Sequence, residues 1–340
     1  MKKDEQTLKK TFQGKEILVT GGCGSIGSEI VRQLLKYKPK RIKILDNNES
    51  GHFNLRQKIP SSITRHLVGD IRDRDRIKKA MKGVDIVFHA AALKHVPICE
   101  YNPFEAVSTN VIGTQNMVDM AREEGVDKFL AISTDKAVNP INTMGATKLL
   151  SEKLVTITYG EYKTKFSCVR FGNVLNSNGS VIPIFRDQIA KGGPVSITSE
   201  DMTRFFMSID EAVNLVLKSV SIMKGQEIFI LKMNSLKISD LAEVMIEELA
   251  PKLNFNPKNI KIDYIGVRPG EKISECLITK EETAHIKELK DMFILFPSII
   301  TPTFSSEYKA TKEYSKYDSA TVKLLTKTEI KSKLKKYNIL

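Results

Sequence analysis

The chain has 340 residues, 41% hydrophobic and 27% charged, so a full apolar core is available and global disorder is excluded. Its four cysteines, Cys23, Cys99, Cys168 and Cys276, show no C-x-x-C pairing, which argues against a zinc site or a disulfide framework and fits a reducing cytoplasm. The formal net charge is +13, and residues 301–340 carry nine lysines against four acids. A solvated lysine-rich surface is favoured there over nucleic-acid or membrane contact.

The amino terminus, MKKDEQTLKKTF, lacks the apolar segment of a secretory signal. No stretch reaches the roughly 20 apolar residues of a membrane span, so a soluble, cytoplasmic protein without membrane insertion is expected. In chain order, KEILVT (15–20) reads as a strand, followed by a glycine loop and a helix near 25–37. RIKILD (41–46) and HLVGD (66–70) are strands, then come a charged helix from Asp73 to Met81 and the strand VDIVFHAAA (84–92). A long helix near 103–124 leads to KFLAIST (128–134), a helix opens around Met144 to Lys148, and FSCVRFGNV (166–174) is a further strand.

Strands of near-continuous Val, Ile, Leu and Phe are buried on both faces, which predicts α/β architecture with a doubly wound parallel sheet over residues 14–174. Beyond 174 the elements shorten: the loop LNSNGSVIP, a helix near 183–191, PVSIT, the helix IDEAVNLVLKSV, the strand EIFILK, the helix ISDLAEVMIEELA and the strand IKIDYIG. They predict a smaller mixed α/β substrate domain over 175–300, with some segments returning to the large sheet. Residues 301–340 read as a basic tail ending in a short helix, LTKTEIKSKLKKY.

TGGCGSIGSE places Gly21, Gly24 and Gly27 between the first strand and the first helix, as a Rossmann-like dinucleotide loop requires. The helix amino terminus adds positive potential for phosphates, and Ser25 and Ile26 belong to the same loop. Asp46 ends the second strand about 20 residues later, where a carboxylate can hold a ribose 2′-hydroxyl and would repel a 2′-phosphate. NAD is therefore expected over NADP. Asn47, Asp70, Ile71, Asn110 and the small residues Ala90, Ala91 and Ala92 complete the expected cofactor site, together with Lys94 and Lys148. No metal site is expected.

STDKAVNPINTMGATK (133–148) contains an M-x-x-x-K in which the thioether of Met144 cannot carry a proton. With GGCGSIGSE, HAAALKHVP, STDKAVNP, FGNVLNSNGSVIPIF, MTRFF and RPGEK in one order, the chain resembles the extended short-chain dehydrogenase/reductases. Within them it is similar to the nucleotide-sugar 4,6-dehydratases that act on UDP-N-acetylglucosamine, in a version with Met where others have Tyr. The resemblance implies a redox-neutral hydro-lyase for surface polysaccharide or glycan synthesis, taking a UDP-N-acetylhexosamine to its 4-keto-6-deoxy product. It also implies a homo-oligomer and no nucleic-acid partner.

On that reading Asp135 is the acid for the C6 hydroxyl, and Lys136 is the C5 base provided burial or nearby positive charge keeps its amine neutral. Thr134 hydrogen-bonds the C4 hydroxyl and relays its proton, Lys148 binds the nicotinamide ribose, and Met144 lines the sugar pocket. Lys94, His95, Asn173, Arg204 and Arg268 are expected at the substrate, the arginines at its pyrophosphate through fork geometry. Glu271 is expected to orient Arg268 or meet a ribose hydroxyl. The competing readings are a nucleotide-sugar 4-epimerase, which normally needs the missing Tyr, and a non-catalytic dinucleotide- or RNA-binding protein on the same fold.

Overall fold

A computed structural model describes residues 2–157, 163–175, 180–297 and 316–340. Six apolar strands come first: β1 (Glu16–Thr20), β2 (Arg41–Asp46), β3 (Thr64–Val68), β4 (Ile86–His89), β5 (Lys128–Ile132) and β6 (Lys165–Arg170). They pair in parallel in the order β3-β2-β1-β4-β5-β6. All four residues of β4 are buried, because helices cover both faces of the sheet. The order reverses between β1 and β4, and this switch point opens a crevice at the carboxyl ends of the strands.

The strand in EIFILK, Ile228–Leu231, continues the parallel sheet beyond β6. Met292–Leu295 and Ile286–Glu288 then close its edge in antiparallel fashion, giving nine strands. Segment 175–300 is thus divided between the large sheet and a second unit. FSCVRFGNV is two strands: β6 ends at Arg170, and Asn173–Val174 joins Thr203–Met207 and Asn234–Lys237 in a separate three-stranded sheet. VDIVFHAAA likewise leaves the sheet after His89, so that Ala90 to Ala92 run free of pairing along the crevice.

An N-terminal helix, Lys2–Phe12, seals the base of the sheet by burying Leu8 and Phe12, the latter against Tyr37 and Phe88. The helix expected at 103–124 is continuous but widens into a π turn over Val107–Ile112, which carries Asn110. All four cysteines are free. Among the described residues no helix is long and apolar enough to cross a membrane.

The second unit has its own core, built from Ile182, Phe185, Leu241 and Met245 and completed by Ile330 and Leu334 of the last helix, Lys327–Lys336. The tail expected over 301–340 is therefore a packed part of the molecule from residue 316 onward. Its lysines meet acids of the helix Ile238–Leu249: Lys331 and Lys335 pair with Glu248, and Lys327 with Glu243. Residues 176–179 of LNSNGSVIP, and 301–315 of the expected tail, lie outside the described residues. Leu334→Ala should cost about 2–5 kcal/mol of stability in a denaturant melt, whereas Lys336→Ala at the exposed face should change it little.

Candidate active site

A cleft of about 850 Å³ follows the carboxyl ends of the parallel strands and runs out between the two units. Gly21, Gly24, Ser25, Ile26, Gly27, Asp46, Asn47, Asp70, Ile71, Ala90, Ala91, Ala92, Lys94 and Lys148 all line it. Gly21 has φ +62°, and a Cβ there would lie 2.6 Å from the Ala91 nitrogen; at Gly27 a Cβ would lie 2.2 Å from the Gly21 carbonyl oxygen. Both glycines are required by close backbone approach, which leaves the N–H groups opening helix Ser25–Leu34 facing the cleft without a side-chain cap. The shape and donor set fit a dinucleotide pyrophosphate.

The Asp46 carboxylate accepts from the Cys23 and Asn48 backbone N–H groups, both at 3.0 Å, and so braces the loop while lining the cleft. Hydrogen bonds from Arg72 hold the Asp70 carboxyl below its ordinary range. Asn110 does not line the cleft. Its amide is consumed by both backbone groups of Leu93 and by Thr147 Oγ1, so it fixes the strand-to-helix turn that carries Lys94. His89, absent from the sequence-based expectations, bridges the Thr20 and Thr114 hydroxyls at 2.8 and 3.0 Å beneath the same turn. Burial, with Lys148 nearby, lowers its pKa to about 3.

At the far end Thr134 Oγ1 donates to Asp135 Oδ1 at 2.8 Å, and Lys136 Nζ donates to the same oxygen at 3.0 Å. The 3-10 turn Asp135–Ala137 sets this geometry, with Thr134 as its N-cap. Asp135 is fully buried and reaches the cleft only through its two neighbours, whereas Thr134 and Lys136 line it. Burial would lower the Lys136 pKa, but Asp135 and Glu275 together raise it above the ordinary lysine value. The condition that its amine be neutral at rest is not met: two carboxylates outweigh burial and the positive charge of Arg204. Lys148 donates to the Ile132 carbonyl at 2.7 Å, and burial lowers its pKa.

Met144, buried with Cys99 and Ala106, gives the pocket an apolar wall. Lys94 and His95 stand at the rim with pKa values lowered by burial, that of His95 also by the Lys94 charge. Asn173 Oδ1 accepts from Lys136 at 3.5 Å. Arg204 is not an open fork for phosphate: its guanidinium donates to the carbonyls of Thr203, Lys272 and Ile273 and faces Glu275 at 3.8 Å. It anchors segment 268–275, which also docks through Asn142 to the Gly270 carbonyl and Lys272 to the Val138 carbonyl. Glu271 accepts from Thr198 at 3.3 Å, not from Arg268, whose side chain lies exposed at the cleft mouth.

Sequence reasoning missed Glu275, Ser133 and Ser180, which also line the cleft. Glu275 Oε2, Ser133 Oγ, Ser180 Oγ and Asp135 Oδ2 are buried without a hydrogen-bond partner, a costly state that a polar ligand would relieve. Ser133 was legible as the first residue of STDK. Glu275 follows RPGEK by three positions, and nothing local says that it folds back toward Lys136.

Residues 17–297, which carry every one of these cleft residues, match the family described as polysaccharide biosynthesis protein. The chain belongs to this family. It is 54% identical to an uncharacterized membrane protein of Methanocaldococcus jannaschii over 98% of this chain and 99% of that one. It is 43% identical to the UDP-N-acetylglucosamine 4,6-dehydratase (inverting) of Campylobacter jejuni over 85% and 84% of the two chains. The X-ray structure of Pen from Bacillus thuringiensis shares its fold at a TM-score of 0.91 and 40% identity, covering 97% of this family member and 99% of Pen.

Two outcomes follow for this family member. Gly27→Ala should weaken nicotinamide dinucleotide binding at least about tenfold, read by quenching of cofactor fluorescence, because the loop must open to admit the Cβ. Since His89 titrates at about 3 when folded and at its ordinary 6.5 when unfolded, the unfolded chain binds the extra proton between those values. Stability then falls as pH drops from 6.5 toward 3, and His89→Asn should flatten that part of the Tm-against-pH curve.

Proposed function

We propose that the protein is a nucleotide-sugar 4,6-dehydratase that converts UDP-N-acetylglucosamine to a UDP-4-keto-6-deoxy-N-acetylhexosamine for surface polysaccharide or glycan synthesis. The observation that carries this reading is the hydrogen-bonded Thr134–Asp135–Lys136 group at one end of a dinucleotide-shaped cleft. A simple dehydrogenase needs one proton acceptor, whereas water elimination needs an acid and a base in addition. The Campylobacter jejuni relative, which carries this activity in its name, supports the same choice.

The glycine loop, Asp46 and Lys148 would hold a nicotinamide dinucleotide. When bound it supplies hydride chemistry, removing hydride from C4 and returning it at C6. NAD is favoured over NADP by the Asp46 carboxylate at the end of β2. Thr134 Oγ1 accepts the C4 hydroxyl proton while passing its own to Asp135 Oδ1, so that Met144 needs no phenol. Protonated Asp135 then supplies the proton for the departing C6 hydroxyl through Thr134, which lines the cleft, and Lys136 takes the C5 proton. Lys94, Asn173 and Arg268 face the nucleotide and sugar. Arg204 acts from behind by fixing segment 268–275.

An epimerase would use the first hydride step without Asp135 as an acid, and its product keeps the C6 oxygen. The exposed apolar residues Ile98, Tyr101, Phe104, Ile112 and Leu150, on and beside the helices flanking Asn110, support a homo-oligomer. A cytoplasmic location is in keeping with a nucleotide-sugar substrate.

Incubation with UDP-N-acetylglucosamine in deuterated water, followed by NMR, should give a 6-deoxy-4-ketone with deuterium at C5. A product retaining its C6 hydroxyl would support the epimerase instead. Asp135→Asn, which removes the acceptor for the C4 hydroxyl proton, should slow cofactor reduction and dehydration alike, by about 10²-fold or more. Met144→Tyr should not accelerate turnover.

A further inference from the structure

We infer that Glu275 is the proton sink that frees Lys136 to act as the C5 base, a role that rests on the dehydratase reading above. Lys136 Nζ lies 3.0 Å from Asp135 Oδ1 and 3.5 Å from Glu275 Oε1, so a single ammonium is shared between two buried carboxylates. An ammonium has no lone pair and cannot remove a proton from carbon. Its proton must first go to a neighbouring group.

Asp135 cannot be that group at the moment it is needed. It is the carboxylate reached by Thr134 Oγ1 at 2.8 Å, and the C4 oxidation step leaves the sugar's hydroxyl proton there. Once Asp135 is neutral, Lys136 loses one of the two charges that hold its proton, and Glu275 is the carboxylate that remains. Transfer across the 3.5 Å contact breaks an N–H bond of Lys136 and forms an O–H bond on Glu275, exchanging a buried ion pair for two neutral groups. The amine lone pair then takes the C5 proton, and the C5–H electrons pass into the enolate of the C4 ketone. Water leaves from C6 with the proton held by Asp135. Lys136 returns a proton to C5 as hydride arrives at C6, and Glu275 then restores the ammonium. Every proton is accounted for without a further reagent.

The position of Glu275 is built for such a task. Its N–H donates to Ser319 Oγ at 2.9 Å, its carbonyl accepts from the Ser319 N–H at 2.8 Å, and Ser319 Oγ also meets Thr203 Oγ1. The main chain therefore fixes the carboxylate from the C-terminal part of the molecule. Charged groups facing it are Lys136 and Asp135 from the turn after β5, Arg204 from strand Thr203–Met207, and Lys272 on its own segment. Oε1 is directed at Lys136 and Arg204, and Oε2 has no partner, which leaves an oxygen able to carry a proton. Burial raises the Glu275 pKa, in keeping with a carboxyl that accepts a proton readily.

The test uses the NAD-loaded enzyme and UDP-N-acetylglucosamine in deuterated water, in single turnover, with Glu275→Gln and Glu275→Asp. For Glu275→Gln, the absorbance of reduced nicotinamide should still appear within a few-fold of the wild-type rate. Deuterium entry at C5 should fall by about 10²-fold at neutral pH and climb with rising pH, because Lys136 must then lose its proton to solvent. Glu275→Asp, which keeps an acceptor, should recover most of the exchange and flatten its pH dependence.

Exchange at the wild-type rate in Glu275→Gln would overturn the proposal. So would an equal, pH-independent loss of cofactor reduction and exchange in both variants, or failure of both to fold, since each marks Glu275 as only a brace for Arg204. If the wild-type enzyme neither reduces its cofactor with this substrate nor releases a 6-deoxy product, the dehydratase reading itself has failed, and the sink falls with it.

Discussion

The Lys136 ammonium between two buried carboxylates is the interaction on which the two halves of the molecule depend. Asp135 belongs to the turn after β5, while Glu275 comes from the segment that Arg204 and Ser319 hold from the other side. Charges removed from water are tolerated only when paired, and stranding one of them costs about 3–5 kcal/mol. The sheet and the second unit are thus joined at the reacting end of the cleft by groups that neither can leave unpaired. A second tie, Arg170 between Glu152 and Glu282, sits behind it. It links β6 to the helix carrying Lys148 and to the segment after Glu275, so the wall behind the site resists displacement.

Around that junction the parallel sheet supplies order. Reversal of strand order between β1 and β4 leaves a crevice that no helix crosses, and Gly21 and Gly27 let the first loop close on the turn after β4 without a side chain between them. Asn110 and His89 secure that turn from below through Leu93, Thr20 and Thr114. The residues that shape the cofactor end are therefore mostly neutral and hydrogen-bonded. The ion pairs of Lys136 and Arg204 with Asp135 and Glu275 gather at the other end. Orphaned polar atoms on Ser133, Asp135 and Glu275 lie in that second region, and those of Ser133 and Glu275 belong to residues that line the cleft.

Local pattern was sufficient where a feature is local. The glycine spacing and the acid ending β2 each depend on residues near in sequence, and the apolar strand runs write their burial on both faces into composition. The resemblance singled out the STDK group and Lys148, and Ser133, Thr134, Lys136 and Lys148 line the cleft. Arg204 was misread because a guanidinium in a phosphate-binding motif looks the same whether it faces ligand or three backbone carbonyls. The lysine-rich end was misread because its apolar residues, Ile330 and Leu334, are few. Their partners on the helix Ile238–Leu249 lie far back in the chain.

The sequence by itself determined the α/β class, the glycine loop after the first strand, the absence of a phenol at Met144 and the Thr-Asp-Lys group just upstream of it. Only the tertiary structure decided how that group is charged. A side chain's protonation depends on the dielectric and charges within a few ångströms of it, whatever their distance along the chain. Glu275 and Arg204 reach Lys136 from far along the chain, and their positions rest in turn on Ser319. Spacing shows which residues can carry a proton. Folding settles which of them holds it.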